Sequence, residues 1–86
     1  MELLKNNGDI MKELVNYIVK SFIGEENYEI VLVEDGDKVD IRVMVDKDKI
    51  AKVIGKGGKI AKAIRTLVRS ASRGSDQNYS VYFEER

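Results

Sequence analysis

At 86 residues the chain has room for one domain, since chains of this size bury only about 60 to 65% of their unfolded surface and cannot divide the core in two. It has no cysteine and no histidine, which excludes a disulfide framework, a zinc site built on Cys or His, and the usual nucleophile–base pairs. Its formal net charge is zero, no apolar run approaches the roughly 20 residues that span a bilayer, and no signal-peptide pattern opens the chain, so a cytoplasmic protein without membrane insertion is expected.

Residues 1–10 read as a flexible leader in which Asn6-Asn7-Gly8 forms a turn. From Asp9, a suitable N-cap, Ile10, Met11, Leu14, Val15, Ile18, Val19, Phe22 and Ile23 fall on one helical face, and Gly24 suits its end. Tyr28 to Glu34 carries the β-branched run of a strand, and Asp35-Gly36 is a hairpin dipeptide. Val39, Ile41, Val43 and Val45 then alternate with Lys38, Asp40, Arg42 and Met44, a period of two with one buried face. Ile50, Val53 and Ile54 return to helical spacing for about two turns, ending at Gly55. A second helix runs from Lys59, with Ile60, Ile64, Leu67, Val68 and Ala71 on its apolar face, and ends near Arg73-Gly74. After a polar loop, Tyr79 to Phe83 reads as a last strand and Glu84-Glu85-Arg86 as a solvated end.

The order α-β-β-α-α-β predicts an α+β domain over residues 11–86, a three-stranded mixed sheet with helices packed on one face. The strands at 38–45 and 79–84 are joined by a two-helix crossover, which predicts a parallel pair.

Zero net charge hides a sharp segregation. Residues 47–73 hold nine Lys or Arg against the single acid Asp48, a net +8, and the rest of the chain carries −8. A local field of that kind steers a polyanion whatever the whole-chain charge. At its centre stands Val53-Ile54-Gly55-Lys56-Gly57-Gly58-Lys59-Ile60. Three glycines in four residues allow backbone conformations closed to other residues and a close approach by an outside group. The pattern is not G-x-x-x-x-G-K-[ST], because Ile60 follows Lys59 and a helical period precedes the glycines. It is not G-x-G-x-x-G either, because Ile60 stands where the third glycine belongs. With no carboxylate pair or histidine beside the turn, neither catalysis nor a cofactor is expected. A membrane-surface helix would need a bulky exposed apolar face alongside its Lys and Arg.

A Gly-x-x-Gly turn (Gly55-Lys56-Gly57-Gly58) between two helices, preceded by Val53-Ile54 and followed by Ile60, resembles the signature of KH RNA-binding domains, and the element order resembles their type II arrangement. From Met11 to Glu84 the chain is similar to the small stand-alone bacterial KH proteins of the KhpA type, including Met11-Lys12-Glu13-Leu14-Val15 and Ala61-Lys62-Ala63-Ile64-Arg65-Thr66-Leu67. Residues 1–10 depart from the usual short start, which raises Met11 as an initiator. The resemblance implies RNA binding, RNA chaperone activity, and pairing with itself or with a larger KH protein involved in cell growth and division.

KH domains hold about four nucleotides of backbone at this loop. In this sequence the glycines at 55, 57 and 58 would admit phosphates to main-chain N–H groups, aided by the amides and dipole of the helix that follows. Lys52, Lys56, Lys59 and Lys62 would supply charge, while Val53, Ile54 and Ile60 would floor the bases, although at least one of these three also suits ordinary core. Lys62, Arg65, Arg69 and Arg73 fall opposite the helix's apolar face and are expected in solvent with or without RNA. A KH fold serving mainly as a protein-interaction module is the competing expectation.

Overall fold

The computed structural model describes residues 7–86, with side chains from Ile10 onward except Glu25. Helix α1 spans Asn7–Ile23, β1 Tyr28–Asp35, β2 Lys38–Val45, α2 Ile50–Ile54, α3 Lys59–Ala71 and β3 Asn78–Glu85. Helix α1 therefore starts two residues before the expected cap at Asp9 and takes in Asn7 and Gly8, which read as turn from the sequence. Most of the expected leader, residues 1–6, lies outside the described residues.

The sheet has the order β1-β2-β3, with β2 antiparallel to β1 and parallel to β3. Its hairpin is a two-residue loop, Gly36-Asp37, between Asp35 and its partner Lys38. Gly36 takes φ 64°, the positive value that favours glycine at the first loop position.

The central strand explains the core. Val39, Ile41, Val43 and Val45 all point to the helical side and are completely buried. Val15 and Val19 of α1, Val53 of α2, and Ile64 and Val68 of α3 join Ile41, Val43 and Val45 in one apolar cluster between sheet and helices. Single cores of this size leave no surplus, since the net stability of a domain is only about 5–15 kcal/mol. The Tyr28 hydroxyl ties β1 to α1 by donating to the Asn16 carbonyl at 3.1 Å and to its side-chain oxygen.

Two expectations are corrected in the packing. Leu67 is not on the buried face of α3; it is 47% exposed, and Ala61 takes part in the core instead. The chain end is not merely solvated: β3 continues through Glu85, and Arg86 Nε donates to Asp46 Oδ1 at 2.6 Å while Nη2 donates to the Glu26 carbonyl at 2.9 Å. The end of β3 is thus fastened to the turn that launches α2.

The face of the sheet away from the helices carries the polar half of the alternation. Arg42 lies in one row with Val31 and Tyr82. It pairs with Glu84 at 3.1 Å and with Asp40 at 3.8 Å, and its guanidinium carbon lies 5.5 Å from the centre of the Tyr82 ring.

Candidate nucleic-acid interface

The glycine segment is a turn between two helices, and each glycine has its own reason. Gly55 ends α2 by donating to the Ala51 carbonyl at 2.9 Å, and its φ of 81° and ψ of 166° belong to a region essentially reserved for glycine. A Cβ there would also stand 2.8 Å from Cγ1 of Ile60. Gly57 (φ 67°, ψ 17°) and Gly58 (φ 75°, ψ 16°) are left-handed, but a Cβ on either would meet nothing within 4 Å. Three positive φ values within four residues, closed by a Gly58 N–H to Gly55 carbonyl bond of 3.0 Å, fold the chain back so that α3 starts at Lys59. Gly58 offers no side-chain cap to α3, so the amides of its first turn have no side-chain oxygen to bind.

Charge gathers around this turn. Lys52, Lys56, Lys59 and Lys62 are all exposed, and among the described residues none of them is in an ion pair. The carboxylates that do pair lie elsewhere, on the sheet and at the chain end. Unpaired ammonium groups beside uncapped amides make this end of the molecule electropositive.

The apolar residues divide. Val53 is completely buried and has no surface to offer a ligand; it anchors α2 to the core. Ile54 and Ile60 are partly exposed on either side of the turn, and Ile60 packs against the bare face of Gly55. The structure therefore brings together Lys52, Ile54, Gly55, Lys56, Gly57, Gly58, Lys59 and Ile60, with Lys62 one turn along α3 and Val53 beneath.

Arg65 is exposed, as expected of the stripe, but it also reaches the sheet. Its Nε donates to the Val81 carbonyl at 3.1 Å, and its guanidinium carbon stands 5.6 Å from the centre of the Phe83 ring. Helical angle alone could not reveal this, because the partner belongs to a strand reached only after the helix ends. Among the described residues no helix is long and apolar enough to cross a membrane, and no group of three or more Asp and Glu is placed to hold a metal ion.

The KhpA/KhpB KH-domain profile matches residues 12–83. A protein of Oceanobacillus iheyensis named RNA-binding protein KhpA is 40% identical over 75 residues, covering 86% of this chain and 97% of the relative. Proteins of the same name from Clostridium perfringens (41% over 63 residues, 72% of this chain and 84% of the relative) and Chlamydia trachomatis (38% over 78 residues, 88% and 100%) are also similar. No solved structure gave a significant match. The helix–turn–helix at Gly55 to Gly58, the mixed sheet and these matches together place the chain in the KhpA/KhpB family of KH domains.

Proposed function

We propose that this is a non-catalytic, cytoplasmic RNA-binding protein that holds a short single-stranded segment by its backbone at the Gly55-Lys56-Gly57-Gly58 turn and acts as an RNA chaperone. The observation that carries the reading is the turn itself: three left-handed or glycine-only backbone positions, uncapped amides at the head of α3, and exposed unpaired lysines on both flanks. The names of the relatives support it, since they are RNA-binding proteins over nearly the same length. Lys52, Lys56 and Lys59 neutralise phosphates, Lys62 extends the positive track, and Ile54 and Ile60 meet the bases. The aromatic platforms on which other single-strand binders stack bases are missing from this side, because no aromatic lies between Tyr28 and Tyr79. Affinity therefore rests on the backbone and is modest for a single site.

The test is the double substitution Lys56→Asp with Gly57→Asp. Two negative charges then occupy the phosphate seat, while Gly57 has room for a side chain and Asp tolerates the left-handed region better than most residues. RNA binding is lost and the fold persists; RNA affinity equal to that of the unaltered protein would sink the reading.

A second reading, in which the domain pairs with its own copy or another KH protein and RNA is secondary, is favoured by the exposed Leu67, which lies with Ala63 and Thr66 beside Lys59 and Lys62. Pairing would multiply a weak RNA site by avidity. Crosslinking and sequencing of RNA from cells separates the two: a retained protein partner without enriched transcripts favours the second.

A further inference from the structure

The sheet is open at both edges, and the two differ in their neighbours. β3 packs beside the basic helix α3, whereas β1, at the opposite edge, packs beside α1. All eight residues of β1 pair with β2 in unbroken register, from Tyr28 opposite Val45 to Asp35 opposite Lys38, and among the described residues no strand lies on its other side. Alternate N–H and C=O groups along β1 therefore face outward with no strand to meet them. Edge strands are ordinarily blunted by Lys, Pro or a bulge. β1 has none of these, and its charges stand only towards its ends. Its centre, Ile30 to Val33, is apolar on both faces: Val31 and Val33 are 40% and 42% exposed on the outer face, while Ile30 and Leu32 are half-buried on the helical face.

Acids frame that apolar centre. Glu29 precedes it, Glu34 and Asp35 follow it, and among the described residues none of the three is in an ion pair. Beside the Tyr28 end of the strand, an open groove of about 340 Å³ runs between β1 and α1, lined by Lys12, Glu13, Asn16, Tyr28, Glu29 and Ile30. The cations nearby do not offset the acids, because Lys12 shares the groove with Glu13 and Arg86 is bonded to Asp46. We propose that the β1 edge takes up an extended protein segment as a fourth, antiparallel strand, a segment whose aliphatic centre matches Ile30 to Val33 and is bounded on both sides by Lys or Arg.

Each part of the edge asks for one feature of this partner. The outward backbone groups bond to the backbone of an added strand, and antiparallel pairing is the more stable kind. Aliphatic side chains on one face of the segment cover Val31 and Val33, and those on the other enter the groove over Ile30. Its terminal cations meet Glu29 at one end and Glu34 and Asp35 at the other, an attraction between opposite charges across neighbouring strands. The same acids turn other occupants away. RNA would set its phosphates against three carboxylates, and a second copy of β1 would bring its own Glu29, Glu34 and Asp35 to the edge. The glycine turn lies between α2 and α3, so a strand on β1 and RNA at the turn use different residues.

The experiment is amide NMR of the isotope-labelled full chain titrated with the synthetic peptide Lys-Arg-Val-Ile-Val-Val-Lys-Arg. Amides of residues 28–35 shift and those of residues 78–85 do not. Methylating alternate backbone nitrogens of the peptide removes the N–H groups along one of its edges and keeps every side chain and charge. One of the two alternations weakens binding by at least about tenfold and the other leaves it unchanged. Replacing the four cations of the peptide by Glu abolishes binding. Glu29→Lys with Glu34→Lys in the protein weakens binding of the basic peptide and admits the acidic one. The peptide comparisons use the unaltered protein and stand even if that variant does not fold. No binding at millimolar peptide, binding indifferent to both methylation patterns, or shifts confined to other elements overturns the proposal. So does perturbation of the same β1 amides by octauridylate, which would make RNA the occupant, or by protein concentration alone, which would make it a second copy.

Discussion

Gly55 and Ile60 are in a contact that no side chain at position 55 could share: a Cβ on Gly55 would stand 2.8 Å from Cγ1 and 3.1 Å from Cβ of Ile60. The bare glycine lets the first turn of α3 fold against the end of α2. Gly55→Ala therefore adds overpacking of about 1–3 kcal/mol to backbone strain of about 1–3 kcal/mol. Gly57→Ala meets open space and carries only left-handed strain of about 1–2 kcal/mol. Thermal unfolding followed by circular dichroism gives the order: Gly55→Ala lowers Tm more, by a further 4–8 °C or so for each additional kcal/mol.

Val53 and Ile54 are adjacent in sequence and opposite in role. Val53→Ala opens a void in a fully buried site and costs about 2 kcal/mol, while the RNA affinity of the folded protein is unchanged. Ile54→Ala, at a partly exposed position beside the turn, costs less stability and weakens RNA binding directly. Urea unfolding and RNA titration on the same two variants test the division. A larger RNA defect in the Val53 variant would reverse it.

Salt dependence counts the phosphates. If Lys52, Lys56 and Lys59 each neutralise one, log K falls against log salt with a slope of about −2, and affinity drops about twentyfold between 50 and 200 mM. Lys56→Ala reduces the magnitude of the slope by about 0.7. A slope near zero in the unaltered protein would exclude the backbone clamp.

Alkaline stability depends in part on Tyr79. Burial raises its phenol above the usual range, a hydrogen bond from Ser75 opposes the shift, and the charge of Glu34 adds to it. The folded state thus holds the proton longer than the unfolded state, whose tyrosines titrate near about pH 10. The corresponding stability is fully present below that value and is lost as pH rises through the folded value. Tyr79→Phe makes the fall of the urea midpoint between about pH 9 and 11 shallower.

Much of this architecture can be read from periodicity. The strict alternation from Lys38 to Val45 identifies the central strand because both faces of the sheet impose it, one buried against helices and one polar. The turn glycines are legible because their positive φ values favour glycine, at Gly55 to the near exclusion of other residues. What escapes is anything decided across sequence distance. Leu67 has the spacing of a core residue, but the core closes over Ala61, Ile64 and Val68 and leaves it outside. Arg65 is exposed as its helical position predicts, but its bond to the Val81 carbonyl depends on β3 and is not legible in the helix. Val53 and Ile54 are interchangeable in hydropathy, and only the direction in which α2 docks separates anchor from surface.

The parallel pairing of β2 with β3 sets the order in which this protein is completed. Lys38 meets Asn78 and Val45 meets Glu85 only after both intervening helices have been made, whereas the β1–β2 hairpin closes over two residues. Contacts between distant segments form late because the chain must lose its freedom before they reward it. The whole glycine turn lies inside that late closure, between β2 and β3. A chain still being synthesised therefore has both helices before it has the strand Asn78–Glu85 that completes the sheet.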